Sequence, residues 1–211
     1  VSVLISVQAF KALDSLSMLG KTAAMTAEIH EHCLDEAAFH LSPHHDARPD
    51  EDAIELIVVH GISLPPGEFG GPGIDQLFLG TLNPDEHPYY AEISGMRVSS
   101  HLLIRRDGEI SQYVPFNRRA WHAGASEWHG RDCCNDFAIG IELEGTDDIP
   151  YTHVQYEKLA RTCTALIRCY PALGVDTIVG HCDIAPGRKS DPGPVFDWTR
   201  LRHHLAELLE Q

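Results

Sequence analysis

The segment Gly180–Pro194, G-H-C-D-I-A-P-G-R-K-S-D-P-G-P, gathers an imidazole (His181), an amine (Lys189) and a carboxylate (Asp191) in one proline-stiffened stretch. An apolar run, Thr177–Val179, leads directly into it. A second apolar run, Leu56–Val59, also ends in a histidine, His60. If the two strands are neighbours, both imidazoles meet at one sheet rim, where open α/β folds place their sites. Two imidazoles and a carboxylate leave a fourth tetrahedral position for water, the arrangement of a catalytic zinc. Such an ion lowers the pKa of water to about 7 and polarises a carbonyl. The ligands do not follow the contiguous H-E-x-x-H helix pattern, so the fold must bring them together.

Hydrolysis at such a centre also needs a proton carrier. Glu142 and Glu144 alternate with Ile139, Ile141 and Leu143 and share one face of a strand. A carboxylate there is costly unless it is paired, exposed at an edge or functional. Either glutamate could take a proton from water and pass it to a leaving amine. Lys189 could stabilise an oxyanion, a donation worth roughly 3–4 kcal/mol of barrier. W-H-A-G, Trp121–Gly124, adds an aromatic and a further histidine that either line a groove or pack beside a turn. Arg97 is an isolated cation in a polar stretch.

The elements that must position these groups read as α/β. Ile54–His60 is a strand buried on both faces, followed by a loop over Leu64–Gly73 and a brief helix near Ile74–Leu79. Ser99–Arg105 and Glu109–Val114 flank an Asp-Gly turn and predict a hairpin. Phe137–Glu144 is a strand, and Thr152–Tyr170 a helix opened by a capping box and closed by Pro171. Val175–Val179 is the last strand, and a final helix starts at the N-cap Asp197. The expected fold is α/β, a single domain with a mixed central sheet flanked by helices. Residues 1–40 read as an N-terminal extension, with a short amphipathic helix over Phe10–Leu19, and 41–211 as the catalytic domain. The functional protein is expected to begin near Met25.

The net charge of −15 argues against a nucleic-acid or anionic-membrane surface. No apolar run approaches the roughly 20 residues of a membrane span. The six cysteines form no C-x-x-C pair, and a reduced chain in a reducing compartment is expected. Seven of the fourteen histidines, His30, His32, His44, His45, His129, His203 and His204, fall in polar surroundings and read as solvated.

From about Leu41 to Leu205 the chain closely resembles AmpD-type 1,6-anhydro-N-acetylmuramyl-L-alanine amidases of the amidase type 2 and peptidoglycan-recognition superfamily. The resemblance is carried, in order, by S-P-H-H-D-A-R-P-D, I-S-L-P-P-G-E-F-G-G-P, L-I-R-R-D-G-E-I-S-Q-Y-V-P-F, A-W-H-A-G, C-N-D-F-A-I-G-I-E-L-E-G-T-D and G-H-C-D-I-A-P-G-R-K-S-D-P-G-P-V-F-D-W. It implies one Zn²⁺ per chain on His60, His181 and Asp191, with Glu142 rather than Glu144 as the catalytic glutamate and Lys189 as the catalytic lysine. It implies cleavage of the amide between (1,6-anhydro)-N-acetylmuramic acid and L-alanine of small muropeptides, in cytoplasmic cell-wall recycling. Arg97 matches an arginine that binds the acidic groups of the peptide; Trp121, from its own pattern, is a candidate to line the substrate groove. A monomer is expected.

Two departures bear on substrate binding. The family usually has asparagine where this chain has Gly61, and arginine, a second peptide contact, where it has Cys133. Losing an amide and a guanidinium should weaken binding while sparing the ligands and proton carriers. Two other readings compete with the cytoplasmic enzyme. A non-catalytic peptidoglycan-fragment-binding relative typically loses a zinc ligand, and all three are present. An exported amidase would be expected to carry a signal peptide and paired cysteines.

Overall fold

In the computed structural model, residues 27–211 are described. The helix expected over Phe10–Leu19 and the start near Met25 lie outside them. Six strands form the central sheet: β1 (Ala38–Phe39), β2 (Leu56–Ile62), β3 (Leu102–Ile104), β4 (Ile110–Gln112), β5 (Ala138–Glu144) and β6 (Ile178–Gly180). Their spatial order is β6-β2-β5-β3-β4-β1. All neighbours are parallel except the β3–β4 hairpin, so the sheet is mixed as expected.

The helices are α1 (Gly73–Phe78), α2 (Pro88–Ile93), α3 (His153–Cys169), α4 (His181–Ile184) and α5 (Trp198–Leu209). Strand alternation divides the sheet into a structural and a functional face. Ile57 and Val59 of β2, with Ile139, Ile141 and Leu143 of β5, enter one core with Leu159 and Leu166 of α3 and Leu201 and Leu205 of α5. Each leucine buried there contributes about 2 kcal/mol by removal of its side chain from water. The opposite face carries Gly140, Glu142 and Glu144 of β5, under α1, α2 and the loops.

Helix α3 starts where its capping box requires: the Thr152 hydroxyl accepts from Gln155 N, and the Gln155 side chain accepts from Thr152 N. The Gln155 amide also donates to the Ile104 and Glu144 carbonyls, tying the helix start to the sheet. Asp197 caps α5 by accepting from Arg200 N.

Three expectations need correction. Residues 27–40 belong to the domain and not to an extension: Leu34 is buried in the main core, and β1 pairs with β4 at the sheet edge. Val175–Thr177 forms a 3-10 turn, and the last strand begins only at Ile178. His44 is buried, its Nδ1 bonded to the Val98 carbonyl and its ring stacked beside Trp121. Among the described residues no helix is long and apolar enough to cross a membrane.

Candidate active site

Register aligns the site. In the parallel β2–β5 pair, Glu142 is the direct partner of His60. Gly180 pairs with Val59, so His181, the next residue, falls level with His60 on its other side. The Asp191 loop folds back over this row. Its Cys182 N–H donates to the Asp191 carbonyl, and the buried Tyr151 hydroxyl donates to the Pro192 carbonyl.

The result is a compact triangle of donors. His60 Nδ1 lies 2.9 Å from His181 Nδ1 and 3.2 Å from Asp191 Oδ2, and His181 Nδ1 lies 3.0 Å from that same oxygen. Tetrahedral ligands about 2.0–2.1 Å from a zinc ion stand roughly 3.3 Å apart, so three such atoms can hold one ion with little movement. The chemistry of the donors agrees with the distances. His181 Nε2 donates to the Ala123 carbonyl at 3.1 Å, which leaves Nδ1 as the ring nitrogen that faces the Asp191 oxygen. A nitrogen lone pair and a carboxylate oxygen at that separation can share one cation.

Electrostatics prepare the same state. Burial pushes the His60 imidazole down to about 4 against the opposing pull of Asp191, so it is neutral, as a ligand must be. Burial alone would raise the Asp191 carboxyl, but polar contact with His181 and His60 outweighs it and holds the group far below the usual carboxylate range.

A cavity of about 640 Å³ opens over the triangle, lined by His60, Gly61, Trp121, Glu142, Lys189 and Asp191 among others. Glu142 is buried, and its Oε2 has no hydrogen-bond partner. Burial, and then the negative charge of Asp191, raise its carboxyl well above the ordinary value, while Lys189 pulls it back down. Glu144 differs. It accepts from Arg105 Nη1 at 3.0 Å, from Gly70 N at 2.6 Å and from Arg106 N at 3.2 Å. Arg105 also pairs with Asp75 of α1 at 2.6 Å. Glu144 therefore anchors the Leu64–Gly73 loop and α1, which form one wall of the cavity. The two glutamates that alternation could not separate have different work.

The remaining candidates divide. The Trp121 indole donates to Asp46 Oδ1 at 3.1 Å, and the exposed Arg97 guanidinium lies 5.8 Å from the centre of its ring. Arg97 itself does not line the cavity. Gly61 does, and a Cβ there would run into the Tyr151 hydroxyl. Cys133 is not brought to the cavity. It is exposed at φ 62°, capping a short 3-10 turn, with its N–H donating to Ser126 O. Asp183 and Cys182 are structural: Asp183 Oδ2 accepts from Gly180 N.

Fold and donor set together define a class: an α/β enzyme scaffold with a His-His-Asp cluster able to hold one metal ion beneath an open cleft. Residues 50–194 match the N-acetylmuramoyl-L-alanine amidase family, amidase type 2, and the chain belongs to that family. It is 64% identical over 161 residues to the 1,6-anhydro-N-acetylmuramyl-L-alanine amidase AmpD of Escherichia coli K12, covering 76% of this chain and 87% of that one. Its fold is similar to the crystal structure of a selenomethionine AmpD derivative, with TM-score 0.82 and 60% identity over 84% of this chain and 98% of that one. A more distant likeness, TM-score 0.52 and 30% identity over 75% of this chain and 60% of the other, is to AmiD of E. coli. That structure is a complex with the substrate anhydro-N-acetylmuramic acid-L-Ala-D-gamma-Glu-L-Lys.

Proposed function

We propose that this amidase hydrolyses the amide joining (1,6-anhydro)-N-acetylmuramic acid to L-alanine in small muropeptides, in peptidoglycan recycling. The observation that carries the chemistry is the donor triangle beside an unpartnered, buried Glu142. The likeness to AmpD over most of both chains supports the substrate class.

His60, His181 and Asp191 would hold one Zn²⁺. Bound there, the ion supplies Lewis-acid polarisation of the scissile carbonyl and acidification of water. Glu142 accepts the proton of the attacking water and returns it to the leaving α-amine of L-alanine. Its raised pKa suits a group that must serve as base and then as acid. Lys189, on the rim of the cavity, donates to the oxyanion. Trp121 and Gly61 line the groove that receives the muropeptide, and Arg97, stacked over Trp121, meets the acidic groups of the stem peptide. With Gly61 in place of an amide at the cavity lining, this chain offers the stem peptide one hydrogen-bonding group fewer there.

All five groups of the centre come from one chain, which supports activity as a monomer. The six cysteines are all free thiols, which supports a reducing, cytoplasmic setting.

Incubation with anhydromuropeptide, with and without a chelator, tests the reading. Free stem peptide should appear, its release should stop with chelator, and added Zn²⁺ should restore it. Release that ignores the chelator would overturn the metal assignment, and no release from this substrate would overturn the substrate.

A further inference from the structure

The W-H-A-G segment does more than border the cavity. His122 and Ala123, adjacent in the chain, meet the outward nitrogens of the two imidazoles of the donor triangle. His60 Nε2 lies 2.9 Å from His122 Nδ1, and His181 Nε2 donates to the Ala123 carbonyl at 3.1 Å. The same two residues are held by one side chain: Asn135 Oδ1 accepts from His122 N at 3.1 Å and from Ala123 N at 2.8 Å. Asn135 is fixed in turn by the buried Arg48, whose Nη1 donates to the Asn135 carbonyl at 3.0 Å and whose Nη2 donates to the Ala138 carbonyl at 2.8 Å. On the sheet side, Gly140 leaves the slot in which the His122 ring lies; a Cβ at 140 would stand 2.5 Å from its Cγ.

We infer that His122, Ala123 and Asn135 form a positioning layer that fixes both imidazoles with Nδ1 toward the metal. The inference rests on the metal-site reading above. With an ion bound, His60 must carry its proton on Nε2, and among the described residues the polar atom placed to accept it is His122 Nδ1. The proton of His122 then sits on Nε2, which is buried without a partner. That orphan costs stability and does nothing for packing. A histidine kept under that cost is explained by the acceptor it offers on its other nitrogen. Because one asparagine holds both acceptors, displacing it loosens two ligands together.

The test is Zn²⁺ affinity of the full chain, by competition with a chromophoric chelator, together with the visible spectrum of the Co²⁺-loaded protein. His122→Phe keeps the ring shape and removes the acceptor; His122→Asn places an amide oxygen near the Nδ1 position. Asn135→Ala removes the shared acceptor, and Asn135→Asp retains it. His122→Phe and Asn135→Ala should weaken Zn²⁺ binding by about 10–100-fold and shift the Co²⁺ bands. His122→Asn and Asn135→Asp should recover most of that loss. Wild-type affinity and an unchanged Co²⁺ spectrum in both His122→Phe and Asn135→Ala would overturn the inference. His60→Ala keeps the two failures distinct: it should abolish binding, and if it binds like wild type the metal-site reading itself falls and this inference with it.

Discussion

Glu142 and His60 are direct partners across two parallel strands. The proposed proton carrier and one proposed metal ligand are therefore placed by the same pair of strands. Glu142→Ala should fold, retain Zn²⁺ and lose turnover by about 10²–10⁴-fold. Metal content and stem-peptide release, measured on the same sample, check both halves. A variant that turns over like wild type would remove Glu142 from the mechanism.

Glu144→Gln addresses the other glutamate. It removes the anionic partner of a buried guanidinium and the strongest acceptor for Gly70 N, leaving Asp75 alone to balance Arg105. The expected cost is about 3 kcal/mol in urea unfolding. KM should rise more than kcat falls, because the cavity wall loosens while Glu142 and the donor triangle stay in place.

Asp46 links Trp121 to acid stability. Hydrogen bonding from Arg119 comes first, opposed by partial burial and aided by the Trp121 indole, and it lowers the Asp46 carboxyl from 3.8 to about 2. A depressed carboxylate pKa stabilises the fold above the unfolded value and loses that contribution as pH falls through the folded one. Wild type should exceed Asp46→Asn in stability above pH 3.8, and the gap should close as pH approaches 2. Paired urea titrations across that window measure it; a gap that widens on acidification contradicts the assignment.

Cys133→Arg installs the arginine that the family resemblance implies, at a backbone position already in the left-handed region. If the longer side chain reaches the stem peptide from outside the cavity lining, KM falls several-fold with little change in kcat. An unchanged KM means that position 133 makes no contact with substrate.

Much of this architecture could be read from residue order because strand alternation is a strong signal. Ile139, Ile141 and Leu143 against Gly140, Glu142 and Glu144 announced a two-faced strand, and two apolar runs ending in histidine announced a shared rim. What alternation lacks is depth. It could not show that both glutamates are buried, nor that Arg105 and Gly70 claim one of them. Residues 27–40 escaped because strands two residues long have no period to detect. The burial of His44 has no local signal, because it comes from Val98 and Trp121, far along the chain. Asn135 carries no periodic signal in C-C-N-D; its contact with His122 and Ala123 exists only once the short 3-10 turn Cys134–Asp136 folds against that segment.

One face of β5 carries the slot for His122, the proposed proton carrier and the anchor of the cavity wall at alternate positions, Gly140, Glu142 and Glu144. Adding or deleting one residue between Phe137 and Gly140 would exchange that face for the isoleucines and leucine of the core. Single replacements here can each spoil one task, but a one-residue change of length spoils all of them and the packing as well. A substitution in this segment costs one task at a time, whereas a change of length costs all of them, so its length is held more tightly than any one of its side chains.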